Sequence, residues 1–157
     1  MARRARRQPA RPAPSDRYTL DIRDIGSRGD GIAALPDGRT VFIDGALPGE
    51  SVDAEVTFHD REPPRGRLIE IRTASPSRRE PPCPVAGLCG GCMAQHLDDA
   101  SYVAWKTRGV SEALAAAGLD LSGLQPLLRT GEQTRRRAVW QFRVGEDRLL
   151  LGYAVRR

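Results

Sequence analysis

The chain has 157 residues, 39% of them apolar and 29% charged, with a formal net charge of +5. That suits one ordinary domain or two small ones. No apolar run approaches the ~20 residues of a membrane span, and the basic N-terminus lacks the ~7–15-residue apolar core of a secretory signal. The charge excess is local: residues 1–17 hold six arginines against the single acid Asp16, residues 18–72 hold 7 basic and 11 acidic side chains, and residues 73–157 hold 12 and 8.

Residues 1–17, rich in Arg, Ala and Pro, cannot bury enough apolar surface to offset ordering entropy and read as a disordered basic tail. Period-two alternation begins at Tyr18, Leu20 and Ile22. Gly26, Gly29 and Gly31 follow, where a bulge or tight turn needs positive φ. Ile32–Leu35, Val41–Ile43, the alternating run Val52–Phe58 and Leu68–Ile71 complete five short strands, with turns at Pro36-Asp37-Gly38 and Pro48-Gly49. Short strands with regular turn signals predict a small closed barrel, and five suit the oligonucleotide-binding type.

Residues 73–82 read as a linker. A helix is expected from Asp98 or Asp99 to about Ala117, stopped by Gly118, with Val103, Val110, Leu114 and Ala117 on its core face. Residues 119–134 read as loop with a short ordered stretch near Leu124–Leu128. A hairpin then pairs the run Ala138, Trp140, Phe142, Val144 with Leu149–Val155 across Gly145-Glu146-Asp147. A two-stranded hairpin is marginal alone, so the chain is expected to be incomplete. The alternation of Phe42, Phe58, Trp140 and Phe142 reads as core before stacking surface, and His59 reads as exposed loop.

Cys83, Cys89 and Cys92, spaced Cys83-x5-Cys89-x2-Cys92, are the only cysteines. An odd, tight cluster without an export signal reads as a metal site and not as a disulfide framework. Gly90 and Gly91 are expected to take positive φ and aim N–H groups at sulfur. On spacing alone two ligand sets compete: a structural Cys3His zinc site closed by His96, and an iron–sulfur cluster that needs a fourth Cys. Outside the tail the densest basic point is Arg135-Arg136-Arg137, a candidate phosphate contact.

The stretch SPSRREPPCPVAGLCGGCMAQHL resembles the signature of the iron–sulfur RNA uracil-C5 methyltransferases, which make 5-methyluridine with S-adenosylmethionine. GDGIAALPDGRTVFIDGALPGE is similar to the RNA-binding TRAM barrel that opens many members. Tyr102, Trp105, Lys106 and Val110 resemble the helix after the cluster, and RRRAVWQFRVGEDRLLLGYAVRR the start of the central domain. The resemblance implies an α+β chain: tail 1–17, five-stranded OB-like TRAM barrel 18–72, linker and cluster loop 73–97, helix 98–118, and the start of a central domain at 119–157. It implies Cys83, Cys89 and Cys92 as three ligands of a [4Fe–4S] cluster whose fourth Cys lies beyond Arg157, and makes His96 a packing or hydrogen-bonding residue.

No Gly-rich βα turn for S-adenosylmethionine is present, since Gly29-Asp30-Gly31 lies in a strand pattern with no helix behind it. The implied partner is structured, ribosomal RNA, with no membrane, in a cytoplasmic monomer. The chain alone is expected to be catalytically inactive. The alternative is a stand-alone TRAM RNA-binding module with a structural zinc site.

Overall fold

The computed structural model describes residues 14–130, 134, 136–145 and 147–154. Six strands form one sheet: β1 (Ser15–Asp21), β2 (Asp24–Ile25), β3 (Gly31–Ala34), β4 (Thr40–Asp44), β5 (Ser51–Thr57) and β6 (Arg65–Thr73). The order is β1-β5-β6-β4-β3-β2. The closed five-stranded barrel expected from strand counting is thereby corrected. The sixth strand is β2, two residues long and too short to show a period. Its register is held by Asp24↔Ile32, and beside it the Arg23 N–H donates to the Ile32 carbonyl at 2.8 Å. Neighbours are antiparallel except β4 and β6, which run parallel.

Alternation works as the sequence predicts. Leu20, Ile22, Ala33, Leu35, Val41, Ile43, Val52, Ala54 and Val56 are buried in one core cluster, with Tyr18, Phe58, Leu68 and Ile71 packed against it. The expected tail is shorter than 1–17: Ser15, Asp16 and Arg17 pair with Thr57, Val56 and Glu55, while residues 1–13 lie outside the described residues. The ladder to β5 is reinforced there by a side-chain bond, the Ser15 hydroxyl donating to the half-buried Glu55 carboxylate at 3.3 Å.

Of the three glycines expected at the bulge, only Gly29 has positive φ, at 80°. Gly31 serves a different need. A Cβ there would sit 2.9 Å from the Ala46 carbonyl oxygen, the Ala46 Cβ and the Ile22 Cγ2. Backbone cannot yield as a flexible side chain would. Gly31→Ala is therefore expected to destabilise the sheet by about 1–3 kcal/mol, read as a lower urea midpoint with an unchanged slope.

The helix α1 (Asp99–Ala116) starts at Asp98, whose carboxylate accepts the Ser101 N–H at 2.9 Å. That backbone hydrogen bond is the main cause holding the Asp98 carboxyl below its usual range. Gly118 follows with φ 70°. The expected core face is corrected. Val103 and Leu114 are half-buried, and Val110 and Ala117 exposed; Trp105 is the buried residue of the helix. Its indole N–H donates to the Gly26 carbonyl at 3.1 Å, and Tyr102 packs edge-on against it at 5.8 Å. Ile25, Leu47, Ala94 and Leu97 complete this second cluster. The helix leans on the sheet through one turn, so a whole apolar stripe is not needed.

No helix or strand spans the described part of 119–140; beside the expected stretch Leu124–Leu128, the Leu124 N–H closes a turn on the Leu121 carbonyl at 3.0 Å. The hairpin is shorter than expected: β7 (Gln141–Val144) pairs with β8 (Leu149–Gly152). Trp140 is 55% exposed and Phe142 70%, correcting their assignment to a core. Phe42 and Phe58 are half-buried, and His59 is exposed as expected.

Candidate functional site

The cysteine loop is fastened at its base. Arg78 and Leu97 form an antiparallel bridge, the Arg79 N–H donates to the His96 carbonyl at 2.9 Å, and the Asp98 N–H donates to the Ser77 carbonyl at 2.9 Å. The Arg78 side chain then ties this base to the sheet. Its Nε donates to Glu50 Oε1 at 2.5 Å, and its Nη2 to Glu50 Oε2 at 2.9 Å and to the Gly45 carbonyl at 2.7 Å. The Glu50 side chain is fully buried and also accepts the N–H groups of Leu47 and Ser75. Burial alone would raise the Glu50 pKa; hydrogen bonds from Arg78, Leu47 and Ser75 override it and leave it lowered. A carboxylate with this many donors stays charged and fixes the loop's root.

Above that root the three cysteines are free thiols, Cys83 and Cys89 half-buried and Cys92 exposed. Consecutive turns carry them: the Ala86 N–H donates to the Cys83 carbonyl and the Cys89 N–H to the Val85 carbonyl. The positive-φ glycine of the loop is Gly87, at 85°, and not Gly90 or Gly91, which corrects the expectation. One of the two expected N–H groups does face sulfur: Gly91 donates to Cys89 Sγ at 3.3 Å. Gly90 donates instead to the Ala154 carbonyl at 2.9 Å, joining the loop to the residues after β8.

Three thiols in one loop are suitable donors for iron or zinc. Among the described residues, however, no three Cys, His, Asp or Glu side chains converge as a metal ion would require. His96 is buried and lines, with Cys92 and Arg78, a cleft of about 340 Å³. The residues thus match the chemistry of a thiolate-held group, and the geometry leaves the sulfurs apart.

Charge on the sheet is more structured than its net acidity suggests. Arg72 grips Asp53 with two hydrogen bonds of 2.7 Å, and Arg67 meets Glu55 at 2.7 Å. These bonds hold the Asp53 and Glu55 carboxyls below their usual range. Asp30, Asp37 and Asp24 are likewise paired, with Arg65, Arg39 and Arg108. Many acids are therefore internally compensated, and among the described residues Arg28 stands out as an exposed arginine that forms no such pair. Of the predicted basic run, Arg136 and Arg137 are exposed in coil before β7, and Arg135 lies outside the described residues. The sequence reading missed Arg28 and the Glu50–Arg78 pair; the partners of that pair are 28 positions apart.

Comparison with known proteins adds the context. The TRAM domain family model matches residues 15–69, which is the six-stranded sheet almost entire. A 23S rRNA (uracil(1939)-C(5))-methyltransferase RlmD of Halomonas elongata is 41% identical over 98% of this chain and 33% of its own length. The RlmD of Pectobacterium atrosepticum is 35% identical over 89% of this chain and 32% of its own. An uncharacterized RNA methyltransferase of Brucella suis is 40% identical over 85% of this chain and 31% of its own. The chain spans about a third of the length of these curated relatives. A TRAM sheet followed by a cysteine loop fastened to it, matched across nearly the whole chain, places this protein in the RNA methyltransferase family that includes the 23S rRNA uracil-C5 methyltransferases.

Proposed function

We propose that this chain is the RNA-gripping and cluster-bearing part of an S-adenosylmethionine-dependent 23S rRNA uracil-C5 methyltransferase, working as a cytoplasmic monomer. The observation that carries the reading is the docking of the cysteine loop on the TRAM sheet through the buried Glu50–Arg78 pair. An RNA-binding module and a metal-chemistry loop so joined act as one rigid surface. Cys83, Cys89 and Cys92 would supply three ligands of a [4Fe–4S] cluster. When bound, that group would cross-link the loop and shape the RNA-facing surface. Loading requires the sulfurs to draw together, which Gly87, Gly90 and Gly91 permit. Arg135, Arg136 and Arg137 would meet RNA phosphates.

Methyl transfer to uracil C5 needs a free thiolate to add at C6. The three cysteines of this chain are assigned to the cluster, so the chain should hold RNA without methylating it. Filter binding with a 23S rRNA fragment and tritium-methyl-labelled S-adenosylmethionine tests both halves. Retention of the RNA with no label transferred is expected. Label on the RNA would overturn the division of labour, and failure to retain any RNA would overturn the reading as a whole.

A further inference from the structure

Two clefts meet at the turn between β2 and β3. One, of about 590 Å³, opens between the sheet, the cysteine loop and the hairpin, and carries Tyr153 and Gln141 on its far wall. The other, of about 390 Å³, lies on the sheet side and carries Phe42. They share Arg28, Asp30 and Arg65. We propose that a single strand of RNA crosses this junction with one base in each cleft and the phosphate between them on Arg28; this rests on the RNA-binding reading above and says where the strand lies.

The groups are arranged for that ligand. Each cleft offers one aromatic face, Phe42 half-buried and Tyr153 44% exposed, and every base has a π-face to lay against it. Arg65 is already committed, its guanidinium 3.2 Å from Asp30 and 5.8 Å from the Phe42 ring centroid. Arg28 is exposed, and no hydrogen bond or ion pair from its side chain is formed among the described residues, so its charge is available to a phosphate. The buried Asp30 repels a phosphate from the cleft interior but accepts from a base amine, and the Gln141 amide can donate to a base carbonyl or accept from a base amine. A duplex, with its bases stacked inside, could not use the two aromatic faces.

Fluorescence anisotropy with a labelled single-stranded RNA of about eight nucleotides, and with a duplex of the same sequence, tests the placement. Arg28→Ala is expected to weaken the single strand about tenfold and to lower the slope of log affinity against log salt by about one. Tyr153→Ala should also weaken it about tenfold while leaving that slope unchanged. Arg23→Ala, an exposed arginine that lines neither cleft, should bind as the unaltered chain does. Equal affinity and slope for Arg28→Ala and Arg23→Ala would overturn the placement while leaving RNA binding intact, as would tighter binding of the duplex. An unaltered chain that binds no RNA at all would instead overturn the reading beneath it.

Discussion

Glu50→Ala is expected to cost about 3–5 kcal/mol of folding stability, because removing one partner of a buried ion pair strands the other. The Arg78 side chain is 21% exposed and would lose both carboxylate contacts, and the N–H groups of Leu47 and Ser75 would lose their acceptor. Glu50→Gln keeps some of these hydrogen bonds and should fall between the two. The same pair sets an acid limit. The folded Glu50 pKa lies below its ordinary 4.5, so its contribution is complete above about pH 4.5 and is lost as pH falls through the lower folded value. Urea midpoints measured from neutral pH downward should therefore drop in the unaltered protein below that range, and drop less in Glu50→Gln. Since Arg78 also roots the cysteine loop, faster amide exchange across residues 79–97 should accompany the loss.

Trp105→Ala is the second large effect, at about 3–5 kcal/mol for a buried aromatic truncated in a packed cluster. It removes the apolar contact with Ile25, Leu47, Ala94 and Leu97 and leaves the Gly26 carbonyl without the indole donor. Denaturant unfolding checks the magnitude. Fluorescence checks the assignment, because the chain has two tryptophans and the other, Trp140, is 55% exposed. Emission of Trp105→Ala should be that of a solvated indole, whereas Trp140→Ala should leave the blue-shifted component. Trp105→Phe retains the packing without the donor and should lose less.

What the sequence made legible follows from period and capping. The alternating residues of β1, β3, β4 and β5 are the core, and Asp98 and Gly118 bracket the helix, because side-chain direction and terminal hydrogen bonds are local properties. Contacts between distant residues left no such trace. Helical spacing sets Val103, Val110, Leu114 and Ala117 on one face, but spacing does not say whether anything covers it. The neighbour the helix actually meets is the Gly26 turn, reached by Trp105 over 79 positions. Alternation in the hairpin, likewise, describes a strand and not its burial, which is why Trp140 and Phe142 read as inward from the sequence and lie exposed in the structure.

The site divides in the same way. Three cysteines within ten residues are visible in any reading of the chain, and so is the run Arg135-Arg136-Arg137. The clamp beneath the loop is not, since Glu50 and Arg78 are ordinary surface residue types whose burial depends on each other. Arg28 is not legible either. One arginine among many becomes distinct only when the pairing of its neighbours is known.

Iron and acid-labile sulfide measured in the oxygen-protected, freshly purified chain, beside its Cys83→Ser, Cys89→Ser and Cys92→Ser variants, test the central claim most directly. Brown protein carrying both elements, with each variant losing them, is the expected result. Colourless protein holding stoichiometric zinc, or three titratable thiols and no metal, would contradict it.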